Sequence, residues 1–317
     1  MKLLVTGGAG FIGSHLIERL IKDGHEIWCL DNFNDYYNPE IKRGNIEPVQ
    51  DHPKYSLIEG DILDEELLNK LFAQTSFDCI IHLAARAGVR PSIKQPKLYQ
   101  EVNIRGTMNL LEKAKEFGIR KFVMASSSSV YGNNKKVPFS ESDFVDNPIS
   151  PYAATKKACE LIGFTYHSLY NISVTCLRFF TVYGPRQRPD MAIHKFTKWI
   201  DNDEPIDIYG DGTAKRDFTF IFDIVDGIVK SVERCAGYNI YNLGESRVIQ
   251  LSDLVDVIQR TLGKKARINY KPVQPGDVNI TYADVSKAKK ELDYNPLVGI
   301  DEGISHFVDW YRKNKSA

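Results

Sequence analysis

The chain has 317 residues, enough for one large hydrophobic core or two smaller ones, and its 43% hydrophobic and 26% charged residues are ordinary for a soluble globular protein. Its 41 basic and 41 acidic residues cancel, so charge offers no footprint for nucleic acid or an anionic membrane surface. Cys29, Cys79, Cys159, Cys176 and Cys235 form an odd set without CxxC spacing, which argues against a disulfide frame or zinc site and for thiols used as small apolar fillers in a reducing compartment.

In chain order, Lys2 to Thr6 reads as a strand and Phe11 to Lys22 as a helix with one apolar face. The N-terminal MKLLVTGGAGFIG is broken by glycine after a very short apolar run, so no signal peptide is expected there. Strands are expected at Glu26 to Leu30 and Tyr55 to Glu59, and Asp64 caps a helix running through Phe72. Cys79 to Leu83 is a continuous apolar run, as a parallel strand buried on both faces requires. One long helix is expected from Pro96 to Phe117, ended by Gly118. A strand follows over Lys121 to Ala125, then a helix from about Pro151 to Leu169 and a strand from Ser173 to Phe179. This alternation predicts an α/β fold, a doubly wound parallel sheet with helices on both faces.

Beyond Phe180 the Pro, Gly and Asp content rises and the alternation becomes irregular. A smaller α/β region interleaved with the first is expected. Tyr238 to Leu243 reads as one more strand of the large sheet, and a helix from Asp301 to Lys313 closes the chain. No apolar run reaches membrane-spanning length and the seven histidines show no metal-ligand spacing, so a cytoplasmic protein without a metal centre is expected.

Thr6-Gly7-Gly8-Ala9-Gly10-Phe11-Ile12-Gly13 falls at the first strand-to-helix turn. Glycines at 7, 10 and 13 permit a tight turn, close approach of a pyrophosphate, and close packing of helix on strand. The helix start then offers free N–H groups and a positive dipole end to phosphate. Asp31 ends the second strand about 20 residues on, where a carboxylate accepts ribose hydroxyls and repels a 2′-phosphate, so NAD is expected over NADP.

Tyr152 and Lys156 are four apart at the start of the helix opened by Pro151, hence on one face. Free tyrosine is a poor base at neutral pH, its pKa being about 10. A nearby ammonium and an oxidised nicotinamide would favour the phenolate. The pair alone is common on exposed helices. Here it accompanies a nucleotide loop and the run Ser126-Ser127-Ser128-Ser129, which sits at a strand's carboxyl end, where ligands gather in such sheets.

Together TGGAGFIG, HLAA (82–85), SSSSVYG (126–132), YAATK (152–156) and GDGTAKRDFTFIFDIVDGI (210–228) resemble the extended short-chain dehydrogenase/reductases of the nucleotide-sugar epimerase/dehydratase type, over nearly the whole chain and in the family's order. The resemblance implies a bound NAD, a UDP-sugar substrate and a catalytic triad of Ser127, Tyr152 and Lys156. It places Gly7, Gly10, Phe11, Ile12, Gly13, Asp31, Asn32, Asp61, Ile62, Leu83, Ala84 and Ala85 at the cofactor, together with Tyr152 and Lys156. It also implies a Rossmann-type NAD-binding domain over residues 1–180 with about 217–244, a UDP-sugar-binding domain over 181–216 with about 245–317, and a homodimer built on the helices around 97–117 and 152–169.

Within the family, dehydratases carry an Asp-Glu pair after the triad hydroxyl and UDP-glucuronate decarboxylases a Glu before the Val-Tyr-Gly. Those positions here are Ser128 and Ser129. Without either carboxylate the chemistry implied is oxidation at C4 and re-reduction, which is epimerisation. Asp31 to Tyr37, Ala87 to Arg90 and Arg178 to Ala192 resemble UDP-glucuronate 4-epimerases, in which hydroxyls beside the triad hold the sugar carboxylate. Ser128, Ser129 and Thr181 match those positions, and two or three neutral donors suffice to hold a carboxylate. Arg188 is matched to the diphosphate or the sugar end and Arg216 to the diphosphate. A UDP-glucose or UDP-N-acetylglucosamine 4-epimerase, a UDP-glucuronate decarboxylase, a 4-ketosugar reductase and a non-catalytic dinucleotide sensor on the same fold remain as alternatives.

Overall fold

The computed structural model describes residues 1–274, 276 and 278–315. Its central sheet has seven parallel strands in the order β3 (Tyr55–Glu59), β2 (Glu26–Asp31), β1 (Lys2–Thr6), β4 (Cys79–His82), β5 (Lys121–Ser127), β6 (Ser173–Phe179) and β10 (Tyr238–Leu243). All four residues of β4 are buried, the consequence of helices on both faces. Strand alternation divides the core. Leu4, Ile80, Phe122 and Met124 pack with α3 (Glu65–Gln74), α6 (Gly106–Glu116) and α7 (Pro151–Tyr170). Leu3, Val5, Ile81 and Val123 pack on the other face with α1 (Phe11–Lys22) and α9 (Ile221–Glu233). Strand order reverses between β1 and β4, which opens a crevice at their carboxyl ends.

Three local features depart from the expectation. The helix expected over Pro96 to Phe117 is α5 (Pro96–Tyr99), a π-helical segment over Gln100–Arg105, and α6. The π-segment aims Asn103 inward, where its carboxamide accepts from Arg86 N at 2.7 Å and donates to Arg86 O at 3.1 Å and Thr155 Oγ1 at 3.0 Å. Strand β5 runs two residues past Ala125, through Ser127. An additional helix, α2 (Pro39–Ile46), starts at Asn38, whose side chain caps Glu40 N with Pro39 at the first helical position.

Beside the main sheet, β7 (Thr181–Tyr183), β9 (Lys215–Phe220) and β11 (Val248–Gln250) form a three-stranded sheet, and β8 (Ile206–Tyr209) pairs with β12 (Ile268–Lys271). The helix α4 (Val89–Lys94) lies near α7, and α8 (Ala192–Asp201) follows the loop after β7. Among the described residues, no helix is long and apolar enough to cross a membrane.

Asp217 of β9 ties this smaller region together. Its carboxylate accepts from Glu245 N at 2.8 Å, Ser246 N at 3.0 Å, Ala283 N at 3.1 Å and Thr219 Oγ1 at 3.2 Å. Glu245 lies alongside, buried, with neither carboxylate oxygen hydrogen-bonded and Arg247 at 3.6 Å. Burial, then the charge of Asp223, pushes the Glu245 carboxyl up to about 7, and burial pushes Asp217 up to about 6. Both folded values lie above the unfolded ones, near 4. The stability they contribute is therefore complete below about pH 4 and is lost as pH rises toward 7. Glu245→Gln is expected to raise the melting temperature at pH 8 and to change it little at pH 4.5. Equal shifts at both pH values in thermal melts would show that Glu245 carries no native-state charge penalty.

Candidate active site

The crevice begins at the glycine loop. Gly7 adopts φ +69°, and its N–H donates to Leu30 O at 2.8 Å. A Cβ at Gly7 would lie 2.7 Å from Ala84 N, and one at Gly13 would lie 2.4 Å from Gly7 O. The loop thus packs backbone on backbone and leaves the start of α1, whose N-cap is Gly10, open to an anion.

Asp31 ends β2 and is buried. It accepts from Phe33 N at 2.9 Å and Ala9 N at 3.2 Å and pairs with Lys42 Nζ of α2 at 3.2 Å. A carboxylate offers about four acceptor sites. Asp31 therefore retains capacity for a sugar hydroxyl, while Lys42 offsets part of its charge. Asn32 donates to Asp61 Oδ2 at 2.7 Å, which joins the ends of β2 and β3, and Asp61 Oδ1 accepts from Leu63 N at 2.9 Å.

On the other side of the crevice, Ser150 caps α7 by accepting from Ala153 N at 3.1 Å, and Pro151 occupies its first turn. Lys156 is buried and donates to Ala125 O of β5 at 2.7 Å. The Tyr152 ring stands edge-on to Tyr99, centroids 6.3 Å apart. Ser127 is the last residue of β5, and its Oγ accepts from Ser129 N at 3.1 Å, which caps the 3₁₀ turn Ser128–Tyr131 and leaves the Ser127 proton to donate. Behind the catalytic face, His82 bridges Thr6 Oγ1 at 2.7 Å and Thr107 Oγ1 at 3.0 Å. Burial, with Lys156 nearby, pulls its pKa down to about 3, so it is a neutral structural histidine.

A single cavity of about 480 Å³ joins these parts. It is lined by Gly7, Gly10, Phe11, Ile12 and Gly13, by Asp31 and Asn32, by Asp61 and Ile62, and by Leu83, Ala84 and Ala85, which follow β4. Ser127, Ser128, Ser129, Tyr152, Lys156, Thr181 and Arg188 line the same cavity. Arg188 is held by Asp190 through bonds of 2.9 and 3.0 Å and lies 5.5 Å from the Tyr36 ring. Arg216 lies apart from this cavity, in an adjoining one of about 170 Å³ that shares Val89, Ser128, Ser129 and Thr181 with the first. The two serines and Thr181 thus stand where the two spaces meet. Sequence reasoning did not single out Lys42 or Asn103, and it took Tyr36 only as part of the Asp31 to Tyr37 segment. Of the first two, Lys42 had a local signal, the Asn38-Pro39 helix start.

The parallel sheet, the glycine loop and a serine, tyrosine and lysine around one cleft define a dinucleotide-binding protein of the short-chain dehydrogenase/reductase class. The family model described as GDP-mannose 4,6 dehydratase matches residues 4–307, and the chain belongs to that family. It is 45% identical over 312 residues to the UDP-glucuronate 4-epimerase of Thermodesulfobacterium geofontis, covering 98% of this chain and 96% of that one. The structure of UDP-glucuronic acid 4-epimerase from Bacillus cereus, in complex with UDP-glucuronic acid and NAD, superposes with a TM-score of 0.94 at 38% identity, covering 99% of each chain. The UDP-glucose 4-epimerase of Thermotoga maritima with UDP-glucose gives a TM-score of 0.92 at 32% identity, over 99% of this chain and 100% of that one.

Proposed function

We propose that this chain is an NAD-dependent UDP-sugar 4-epimerase that interconverts UDP-glucuronate and UDP-galacturonate. The observation that carries the sugar assignment is the meeting of Ser128, Ser129 and Thr181 at the junction of the two cavities, beside Ser127, Tyr152 and Lys156. Neutral hydroxyls stand where a dehydratase or decarboxylase of this class places carboxylates.

The residues suit NAD. The glycine loop leaves room for phosphate where a Cβ at Gly7 or Gly13 would clash, Asp31 and Asn32 would hold the adenosine ribose, and Lys156 would hold the nicotinamide ribose. NAD supplies the hydride acceptor and donor for the sugar C4. Tyr152, assisted by Ser127, takes the proton of the 4-hydroxyl and returns it after the keto sugar has turned over. UDP stays anchored through Arg216 meanwhile. A 4-keto glucuronate is a β-keto acid and loses carbon dioxide when its C5–C6 bond stands perpendicular to the carbonyl plane. Ser128, Ser129 and Thr181 hold the carboxylate away from that alignment.

The test is to incubate purified protein with UDP-glucuronate, without added cofactor, and follow products by NMR. UDP-galacturonate is expected. UDP-pentose as the main product would overturn the carboxylate-holding role, and turnover of neutral UDP-sugars only would overturn the substrate assignment.

A cytoplasmic location is proposed as well, supported by five buried free thiols. The protein is further proposed to be a homodimer. Leu161, Phe164 and Leu169 on α7 are 58%, 53% and 66% exposed, and Met108 on α6 is 40% exposed. The double variant Leu161→Asp, Phe164→Asp is expected to elute as a monomer in size-exclusion chromatography with light scattering. A monomeric parent protein would remove the proposal.

A further inference from the structure

Beneath the serine turn lies a buried polar network that the chemistry described so far does not use. Ser126, Arg178 and Asn242 stand in one row across β5, β6 and β10. Glu160 reaches this row from α7, where Tyr152, Lys156 and Glu160 follow one another at four-residue steps on one face. Arg178 Nε and Nη2 donate to the two Glu160 oxygens, each at 2.8 Å, and Ser126 Oγ donates to Glu160 Oε1 at 2.6 Å. The remaining arm, Nη1, donates to Tyr131 Oη at 2.9 Å. Tyr131 in turn donates to Asn242 Oδ1 at 2.7 Å, and the Asn242 amide donates to Phe139 O at 2.8 Å and Asp284 O at 3.1 Å.

Glu160 and Asn242 are 0% exposed, Arg178 1% and Tyr131 3%. A buried ion pair gives little net stability over an apolar replacement, because both charges lose their water. Geometry is what this one supplies. The guanidinium ties the helix that carries Tyr152 and Lys156 to Tyr131, which closes the turn carrying Ser128 and Ser129, and Glu160 in turn takes Ser126 of the strand that ends in Ser127. The Tyr131 ring stacks on Phe139, centroids 4.8 Å apart, so its hydroxyl sets the direction in which the turn leaves β5.

We propose that Arg178 and Tyr131 are positioning residues for the sugar-carboxylate turn, and that they set the partition of the 4-keto sugar between epimerised product and decarboxylation. The role rests on the epimerase activity proposed for this site. In the leak, the C5–C6 bond breaks, C6 leaves as carbon dioxide, the bonding pair remains on C5 as the enolate of the 4-ketone, and C5 then takes a proton from water. The products are carbon dioxide and a UDP-4-ketopentose, or a UDP-pentose once the hydride taken from C4 is returned.

Tyr131→Phe deletes one oxygen and keeps the ring against Phe139. In an NMR time course with UDP-glucuronate, the share of turnover ending as pentose or ketopentose is expected to rise roughly ten-fold over the parent protein, as a small misplacement of a reacting group does. A purely structural defect lowers all products together and leaves that share unchanged. Should Tyr131→Phe not accumulate as folded protein, Arg178→Lys poses the same question, since it keeps a cation facing Glu160 and loses the donor to Tyr131. Unchanged partition in the folded variants, alongside clean UDP-galacturonate formation by the parent, overturns the positioning role alone. A parent protein that forms no UDP-galacturonate brings down the epimerase reading and this role with it.

Discussion

Tyr152→Phe is expected to lower the rate of UDP-glucuronate epimerisation by roughly 10²- to 10⁴-fold, the usual loss when a positioned proton carrier is removed. The substitution is clean. The Tyr152 ring sits edge-on to Tyr99 at 6.3 Å, and a phenyl ring keeps that contact. Lys156 is anchored to Ala125 O at 2.7 Å, a bond that does not involve the phenol, so the role proposed for it at the cofactor ribose should persist. Bound NAD, measured after heat release from the purified variant, is therefore expected at the parent level. That separates lost chemistry from lost cofactor. Turnover within a few-fold of the parent would mean another group carries the proton, and Ser127, whose hydroxyl proton is left to donate, is the next to replace.

Much of this arrangement is legible in the sequence because its signals are local. β1, α1, β3 and β6 have the ends that apolar runs, glycines and caps foretell. The glycine loop and the Tyr152/Lys156 pair are likewise short local patterns, and Gly7, Gly10, Phe11, Ile12 and Gly13 of the loop line the main cavity together with Tyr152 and Lys156. What stays hidden depends on partners far along the chain. Ser126 and Ser127 look like loop residues, yet β5 continues through them because the Ser126 hydroxyl is satisfied by Glu160, 34 positions away. The π-segment in the helix after Pro96 depends on Asn103 finding Arg86 and Thr155. Lys42 pairs with Asp31 only because α2 folds back over the end of β2. Arg216 shows the limit of a motif, since matching a family position does not reveal that its side chain lines a separate, adjoining space.

Gly13→Ala is expected to yield protein purified with little bound NAD and with epimerase activity that is low unless NAD is added. The new methyl would lie 2.4 Å from Gly7 O, 2.6 Å from Gly8 Cα and 2.8 Å from Gly8 O. All three are backbone atoms, so no side chain can rotate aside, and relief requires moving the loop or the start of α1. The loop has little freedom to move. Gly7 is held at φ +69° with its N–H on Leu30 O, and Asp31 accepts from Ala9 N at 3.2 Å. A shift there would misalign the N–H groups proposed to face the pyrophosphate, where an error of about 1 Å is enough to lose binding and rate together. Gly44 in α2 is the control, because a Cβ there meets nothing within 4 Å. Gly44→Ala should keep its NAD and gain slightly in melting temperature, since Ala is favoured over Gly in a helix by roughly 0.5–1 kcal/mol. Full NAD content in Gly13→Ala would mean that the pyrophosphate does not lie against this loop, and the cofactor would have to be placed elsewhere in the cavity.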